Sequence, residues 1–249
     1  AASDVYKRQL RNVIMARDKA LSYASNPELW LTSVSITLAC IALVVIIGYN
    51  LSEKNRSLFT RFLGVLFFAR FVFLHGYMVG IGHWDIHNSL PLHLCGINSI
   101  ICIVLMFKFN QSLYEYLVLL GIPSAFHSIL TPQFINGWDG YYFPEFYLSH
   151  GIIFLVPLYL TIVNGHSLRL NAWKNSFIYG LVTVLIIGIT NLVISFFTGT
   201  LPNYMYTCEA PIADNPLIMT TKWPSYYLIL TTFTFVHILI VFWIYKLFG

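Results

Sequence analysis

Charge is scarce in this chain. Asp, Glu, Lys and Arg together make up 10% of its 249 residues, where a soluble domain carries about 25%. So few charges cannot cover a water-facing surface, whereas a composition that is 57% hydrophobic suits a lipid-facing one. The net charge of +4 is small, and no Lys/Arg patch is large enough for nucleic acid, which excludes that class of partner. Cysteine is sparse as well. Cys40 and Cys102 lie inside apolar runs and read as packing residues, Cys95 and Cys208 lie near polar segments, and no CxxC pair exists to build a thiolate zinc site. Repeats, low-complexity tracts and long linkers are missing, so residues 29–249 read as a single domain. Residues 1–28 read as an N-terminal segment. Its first nine, AASDVYKRQ, differ in character from the rest, stand outside the fold reasoning and contain no apolar signal-peptide core.

Long apolar runs are what the chain does have. A helix needs about 20 apolar residues to span a bilayer, and seven runs qualify, at about 29–50, 58–80, 90–108, 112–131, 146–164, 173–198 and 224–247. The predicted fold class is therefore an all-α membrane protein, a bundle of seven transmembrane helices. Ser25-Asn26-Pro27-Glu28 opens the first run with a cap, a proline at the first helical position and an acid in the first turn. Trp223-Pro224 opens the last. Aromatics reach 17%, in keeping with Tyr and Trp at membrane interfaces. Gly121, Ser124 and Gly188 are small enough for close helix approach.

The connections differ in sign. Lys54, Arg56, Lys108, Arg169 and Lys174 follow helices one, three and five, and Arg61 and Lys246 lie on the same side. The loops after helices two and four have no Lys or Arg, and the loop after helix six has only Lys222. The positive-inside rule then predicts a multi-pass cell-membrane protein with its C-terminus cytoplasmic and its N-terminus outside. Arg11, Arg17 and Lys19 in the N-terminal segment oppose that orientation.

Polar residues concentrate at the predicted outer end. His75, His83, His87, His93, His127 and His150 gather there, with Cys95, Asn191, Asn203 and Tyr204. Ionisable groups at membrane depth are costly and mark functional sites. Cys95, Asn98, Ser99 and Cys102 share one face of helix three, and Ser124, His127, Ser128 and Thr131 share one face of helix four. With the start of helix five they outline a pocket. Cys95 and His150 fit a nucleophile and its base; the plain structural reading is a buried thiol and a hydrogen-bonded core histidine. His83 and His87, with His93, His127 or His150, outline an alternative zinc site; the plain reading is an interfacial loop rich in Trp and His. Arg70, in the middle of helix two, suits a lipid phosphate or a buried pair with Glu115. His237 reads as a packing residue of the inner half. Pro202-Asn203-Tyr204-Met205-Tyr206 reads as an interface anchor or as a lid at the pocket rim.

LPLHLC at 90–95, LTPQF at 130–134, FPEFYLSHG at 143–151, NYMY at 203–206 and WPSYY at 223–227 resemble the YwaF-like bacterial integral membrane family. Order and spacing agree from about residue 58 to the end. That family in turn resembles a eukaryotic transmembrane acyltransferase acting on ether phospholipids and, more distantly, the androgen-induced membrane hydrolases. The resemblance implies Cys95 and His150 as the catalytic pair and assigns His127 and Tyr204 no role. It implies that a Cys95 thiolate attacks a lipid ester and passes the acyl group to a lysolipid hydroxyl or to water. Asn98, Ser99 and His93 are candidate oxyanion donors, although helical spacing sets His93 well round from Cys95.

The expected function is thus a lipid acyltransferase or acyl hydrolase acting on a membrane phospholipid or other fatty-acyl lipid, without a cofactor. Catalysis falls to Cys95 and His150, and the substrate pocket to His93, Asn98, Ser99, His127, Arg70, Asn191 and Tyr204. One alternative is a zinc-dependent membrane lipid hydrolase with ligands among His83, His87, His93 and His127. Another is a small permease or lipid-binding protein. Paired broken helices in matching halves, the pointer to a transporter, are not evident. A retinal protein is rejected because helix seven carries no mid-membrane Lys. A Cys95–Cys208 disulfide would exclude the thiol chemistry.

Overall fold

The computed structural model describes residues 21–22, 26–134, 140–211 and 217–248. Arg11, Arg17, Lys19 and almost all of the N-terminal segment lie outside them. The expected all-α bundle is present, with seven helices among the described residues. These are α1 (Pro27–Asn50), α2 (Glu53–Gly80), α3 (Leu94–Phe107), α4 (Gln111–Leu130), α5 (Tyr142–Ile162), α6 (Ala172–Thr198) and α7 (Ser225–Phe248). A two-residue antiparallel bridge joins Leu21–Ser22 to Gln133–Phe134.

Local chemistry sets the helix starts. The Asn26 side-chain oxygen accepts the Leu29 N–H at 3.1 Å, with Pro27 in the first turn of α1, as the sequence predicts. At α7 the Pro224 carbonyl accepts the N–H groups of Tyr227 and Leu228. Six of the helices are long and apolar enough to cross a membrane. The exception is α3. Its expected span of 90–108 shrinks to 14 residues, which is about 21 Å at the α-helical rise against a hydrocarbon core of about 30 Å. Residues 90–93 turn tightly instead, with the Leu92 N–H donating to the Leu90 carbonyl at 2.7 Å. Pro91 has no N–H for a helical ladder and restricts the residue before it. This displacement puts the start of α3 at the heart of the site.

The bundle is layered. α4 and α5 form its buried centre, packed through Leu117, Leu119, Ile153, Val156 and Tyr159. The outer helices show their apolar sides, among them Leu31, Ile36 and Leu43 of α1 and Phe196 and Phe197 of α6. Lipid tails are as apolar as these side chains, so close packing must hold the helices together. Gly121 meets that need, because a Cβ there would come within 2.8 Å of Leu117 and 3.3 Å of Ile153. Gly48 and Gly151 do the same where α1 crosses α5: added Cβ atoms would reach Tyr159 at 2.4 Å and Thr37 at 2.8 Å. Gly188 has only Thr207 nearby, at 4.0 Å, so its expected close-packing role does not hold.

The two ends differ. At one, Arg56 donates to the Val163 carbonyl at 3.0 Å, Arg169 grips the buried Glu115 at 2.8 Å, and Lys246 donates to the Leu168 carbonyl. At the other lie the loops after α2, α4 and α6. There the Tyr204 hydroxyl donates to the Ile86 carbonyl at 2.7 Å and accepts the Leu90 N–H at 3.0 Å.

Candidate functional site

The site forms where the displaced start of α3 meets α5. His93 precedes α3 in extended conformation, and Cys95 is the second residue of the helix. First-turn N–H groups have no partner within their own helix. Gly96 permits the turn, since a Cβ there would stand 2.8 Å from the Pro91 backbone.

On α5, His150 is buried, and its Nδ1 lies 2.7 Å from the Phe146 carbonyl. A carbonyl only accepts, so Nδ1 carries the proton and a neutral ring keeps its lone pair on Nε2. The Cys95 thiol is its electrostatic neighbour and lines the same two cavities. Ser128 Oγ lies 3.8 Å from the Cys95 sulfur while donating to the Ser124 carbonyl at 2.9 Å. Glu145 stands within Coulombic range of His150. Its carboxylate pairs with Arg70 at 2.7 Å and accepts the Tyr141 hydroxyl at 3.0 Å.

Two cavities adjoin this cluster. The first, about 360 Å³, is lined by Arg70, His75, Ser99 and Glu145 among others. The second, about 440 Å³, is lined by Ser124, His127, Ser128 and His237 together with apolar residues of α4 and α7. His93, Cys95, Phe146 and His150 line both, so the thiol and imidazole sit in the wall between them.

The remaining candidates separate into those at the site and those that brace it. His93 Nδ1 accepts the Met205 N–H at 3.3 Å, which leaves its Nε2 as a donor on a neutral ring. Against the spacing argument, it shares both cavities with Cys95, because it precedes the helix and does not lie on it. Asn98 is fully buried and donates to Ser124 at 3.2 Å; it lines neither cavity, so it holds α3 against α4 and its amide is not available as an oxyanion donor. Asn191 donates to the Tyr204 carbonyl and to Thr207. Tyr204 is fully buried under the loop. Both brace the 202–208 segment and line neither cavity. Arg70 is paired with Glu145, and Glu115 with Arg169, so the expected Arg70–Glu115 pair does not form.

His83 and His87 stay at the rim. His83 stacks on Tyr142, and His87 is held between Asp85 at 2.7 Å and Thr198 at 2.9 Å. Among the described residues no group of three His, Cys, Asp or Glu side chains is placed to hold a metal. All four cysteines are free thiols, so Cys95 and Cys208 are not joined.

Glu145 and His237 have no role in the pocket expected from sequence, and Ser128 enters it only as one residue of a polar face. Glu145 carried a signal, as an acid inside an apolar span. Ser128 lies on the polar face of α4 but draws attention only once Cys95 is seen opposite it. His237 was assigned to the inner half, yet its Nε2 lies 3.0 Å from His127 Nε2.

A family model described as the TMEM164 family matches residues 21–244. The chain belongs to the TMEM164 family. This is a family of transmembrane proteins, in agreement with the apolar helices described above, and the TMEM164-family match covers every residue of the site. No curated protein and no solved structure matches the chain.

Proposed function

We propose that this TMEM164-family protein is a membrane-embedded lipid acyltransferase or acyl hydrolase in which Cys95 is the nucleophile and His150 its base. One observation carries the reading: the Cys95 thiol and the His150 imidazole stand together in the wall shared by two cavities. A thiol with a paired imidazole at a helix start is an activated nucleophile. The resemblance of LHLC and LSHG to the positions of an acyltransferase pair supports the same assignment.

In the first step His150 Nε2 takes the thiol proton. The sulfur attacks a lipid ester carbonyl, an S–C bond forms, and the departing alkoxide receives the proton from His150 as the C–O bond breaks. In the second step a hydroxyl oxygen attacks the thioester, the new O–C bond forms as the C–S bond breaks, and the hydroxyl proton ends on the departing sulfur. His93 Nε2 and the first-turn N–H groups of α3 are the donors for the oxyanion. Arg70 is neutralised by Glu145; its role is to hold that carboxylate near His150, not to act as an unbalanced cation. We place the protein in the cell membrane as one domain over residues 29–249, with the C-terminus cytoplasmic and the site toward the outer interface.

A long-chain acyl electrophile tests the reading. Detergent-solubilised protein should gain one acyl adduct by intact mass, lost in Cys95→Ala and slowed about 10²-fold or more in His150→Ala. Folded wild type that gains no adduct sinks the thiol mechanism.

A further inference from the structure

The second cavity contains a histidine pair that the acylation step does not use. His237 Nδ1 lies 2.6 Å from the Phe233 carbonyl, so that nitrogen carries a proton and Nε2 of the neutral ring is an acceptor. Facing it at 3.0 Å is His127 Nε2, which must therefore be the donor. The proton order along this chain fixes His127 in one tautomer. Its Nδ1 keeps a lone pair, and no hydrogen bond among the described residues uses it. His127 lines the second cavity, and so does His237. The next residue, Ser128, touches the Cys95 sulfur. An imidazole oriented through one nitrogen by a third group, with the other nitrogen unused, is how a general base is held ready.

The remaining walls say what the base acts on. Leu120, Pro123, Leu217, Ile218, Leu230 and Phe233 line the same space, which suits a hydrocarbon chain. The Arg70–Glu145 ion pair lies in the first cavity and not in this one. The two spaces meet only at the wall that contains the thiol, so a thioester made from a donor on one side is open to attack from the other.

We infer that the second cavity is the acceptor chamber, and that His127, oriented by His237, binds and deprotonates the hydroxyl of a lipid-borne acceptor. The inference rests on the Cys95–His150 reading above. The hydroxyl proton passes to His127 Nδ1, the new O–C bond forms as C–S breaks, and the sulfur leaves as thiolate. The imidazolium then returns that proton to the thiolate and restores the resting thiol. No oxidant, metal or further co-reactant enters the balance.

The test separates the half-reactions. Wild type, His127→Gln and His237→Gln are acylated with a long-chain acyl electrophile in mixed micelles. Loss of the adduct is then followed by intact mass with lysophosphatidylcholine added, with glycerol added, or with water alone. Each variant is first carried to full acylation, which also reports an intact fold, and only the discharge of the adduct is compared. Lysophosphatidylcholine should discharge the wild-type adduct faster than glycerol or water does. That advantage should fall at least tenfold in His127→Gln and less in His237→Gln, and the pH dependence of discharge seen in wild type should be absent in His127→Gln. If His127→Gln does not acylate, His237→Gln and its pH profile decide. Equal discharge in wild type and variants overturns the inference and leaves the Cys95–His150 reading standing. Absence of any adduct on folded wild type overturns both.

Discussion

A guanidinium and a carboxylate 2.7 Å apart, each less than a tenth exposed, dominate the electrostatics at the residue scale. Two charges removed from water attract strongly, but each was costly to desolvate. Removing one leaves the other unpaired, at about 3–5 kcal/mol, whereas replacing both with apolar groups is close to neutral. Arg70→Leu should therefore lower the unfolding temperature in detergent markedly, and Arg70→Leu with Glu145→Leu should recover most of the loss. The double variant should still acylate slowly if Glu145 serves to orient His150. Recovery of stability together with full acylation would separate Glu145 from the chemistry. Legibility at this scale was uneven. Cys95 and His150 stand out because they gather with other polar side chains at one end of the bundle. Their partners did not, because sequence places residues by helical depth and cannot say which helices touch. Arg70 was offered Glu115, a residue from the other end of the bundle. The depth of His237 in helix seven points to the inner half, and nothing in the sequence shows that α4 brings His127 beside it.

At the element scale, α4 is a single span by composition but not a uniform helix. Leu117–Gly121 forms a π turn just before Pro123, and the Ile122 N–H reaches back to the Leu117 carbonyl. A proline in mid-helix removes one N–H and clashes with the carbonyl four residues earlier, and a single wide turn relieves both. Such turns often sit at functional sites. This one re-aims Ser124, His127 and Ser128 toward α3 and α7. Pro123→Ala should let the helix regularise. Stability should hold or rise, while acylation of Cys95 slows by up to about 10²-fold, the scale of loss expected when a reacting group is misplaced by about an ångström. Unchanged acylation with an unchanged unfolding temperature would show that the wide turn does not set the site. The sequence reads as one uninterrupted span over about 112–131, and the consequence of Pro123 depends on which helices receive the redirected side chains. The start of α3 makes the same point: a spanning length of about 20 residues argues for a helix from residue 90, and the break at Pro91 shows only in the fold.

Packing between elements gives a second test. Gly48 lies against Tyr159, where an added Cβ would come within 2.4 Å of the ring. Overfilling a packed contact costs about 1–3 kcal/mol, so Gly48→Leu should lower the unfolding temperature and loosen α1 from α5. Gly188→Ala, in open surroundings, should change little. Equal effects from the two would mean that α1 is held by lipid and not by α5.

At the scale of the whole molecule, the division of charge between the two ends was the part of the architecture most open to sequence, because it needs only the positions of Lys and Arg relative to apolar runs. The fold strengthens it. Arg56 of α2, Arg169 of the α5–α6 connection and Lys246 of α7 are tied to carbonyls or to Glu115 at one end, while the two cavities lie toward the other. Basic residues near span ends are retained on the cytoplasmic side, so we expect the C-terminus inside and the Cys95 wall toward the outer leaflet. A fluorescent protein fused after residue 249 should fluoresce, and alkaline phosphatase fused at the same point should be inactive in cells that export it. A membrane-impermeant thiol reagent applied to intact cells should reach Cys208 in the loop after α6, and a cysteine introduced in the α5–α6 turn should be spared. The reverse pattern would turn the bundle over. It would place the acyl-transfer wall at the cytoplasmic leaflet, so that donor and acceptor lipids would have to be drawn from the inner monolayer.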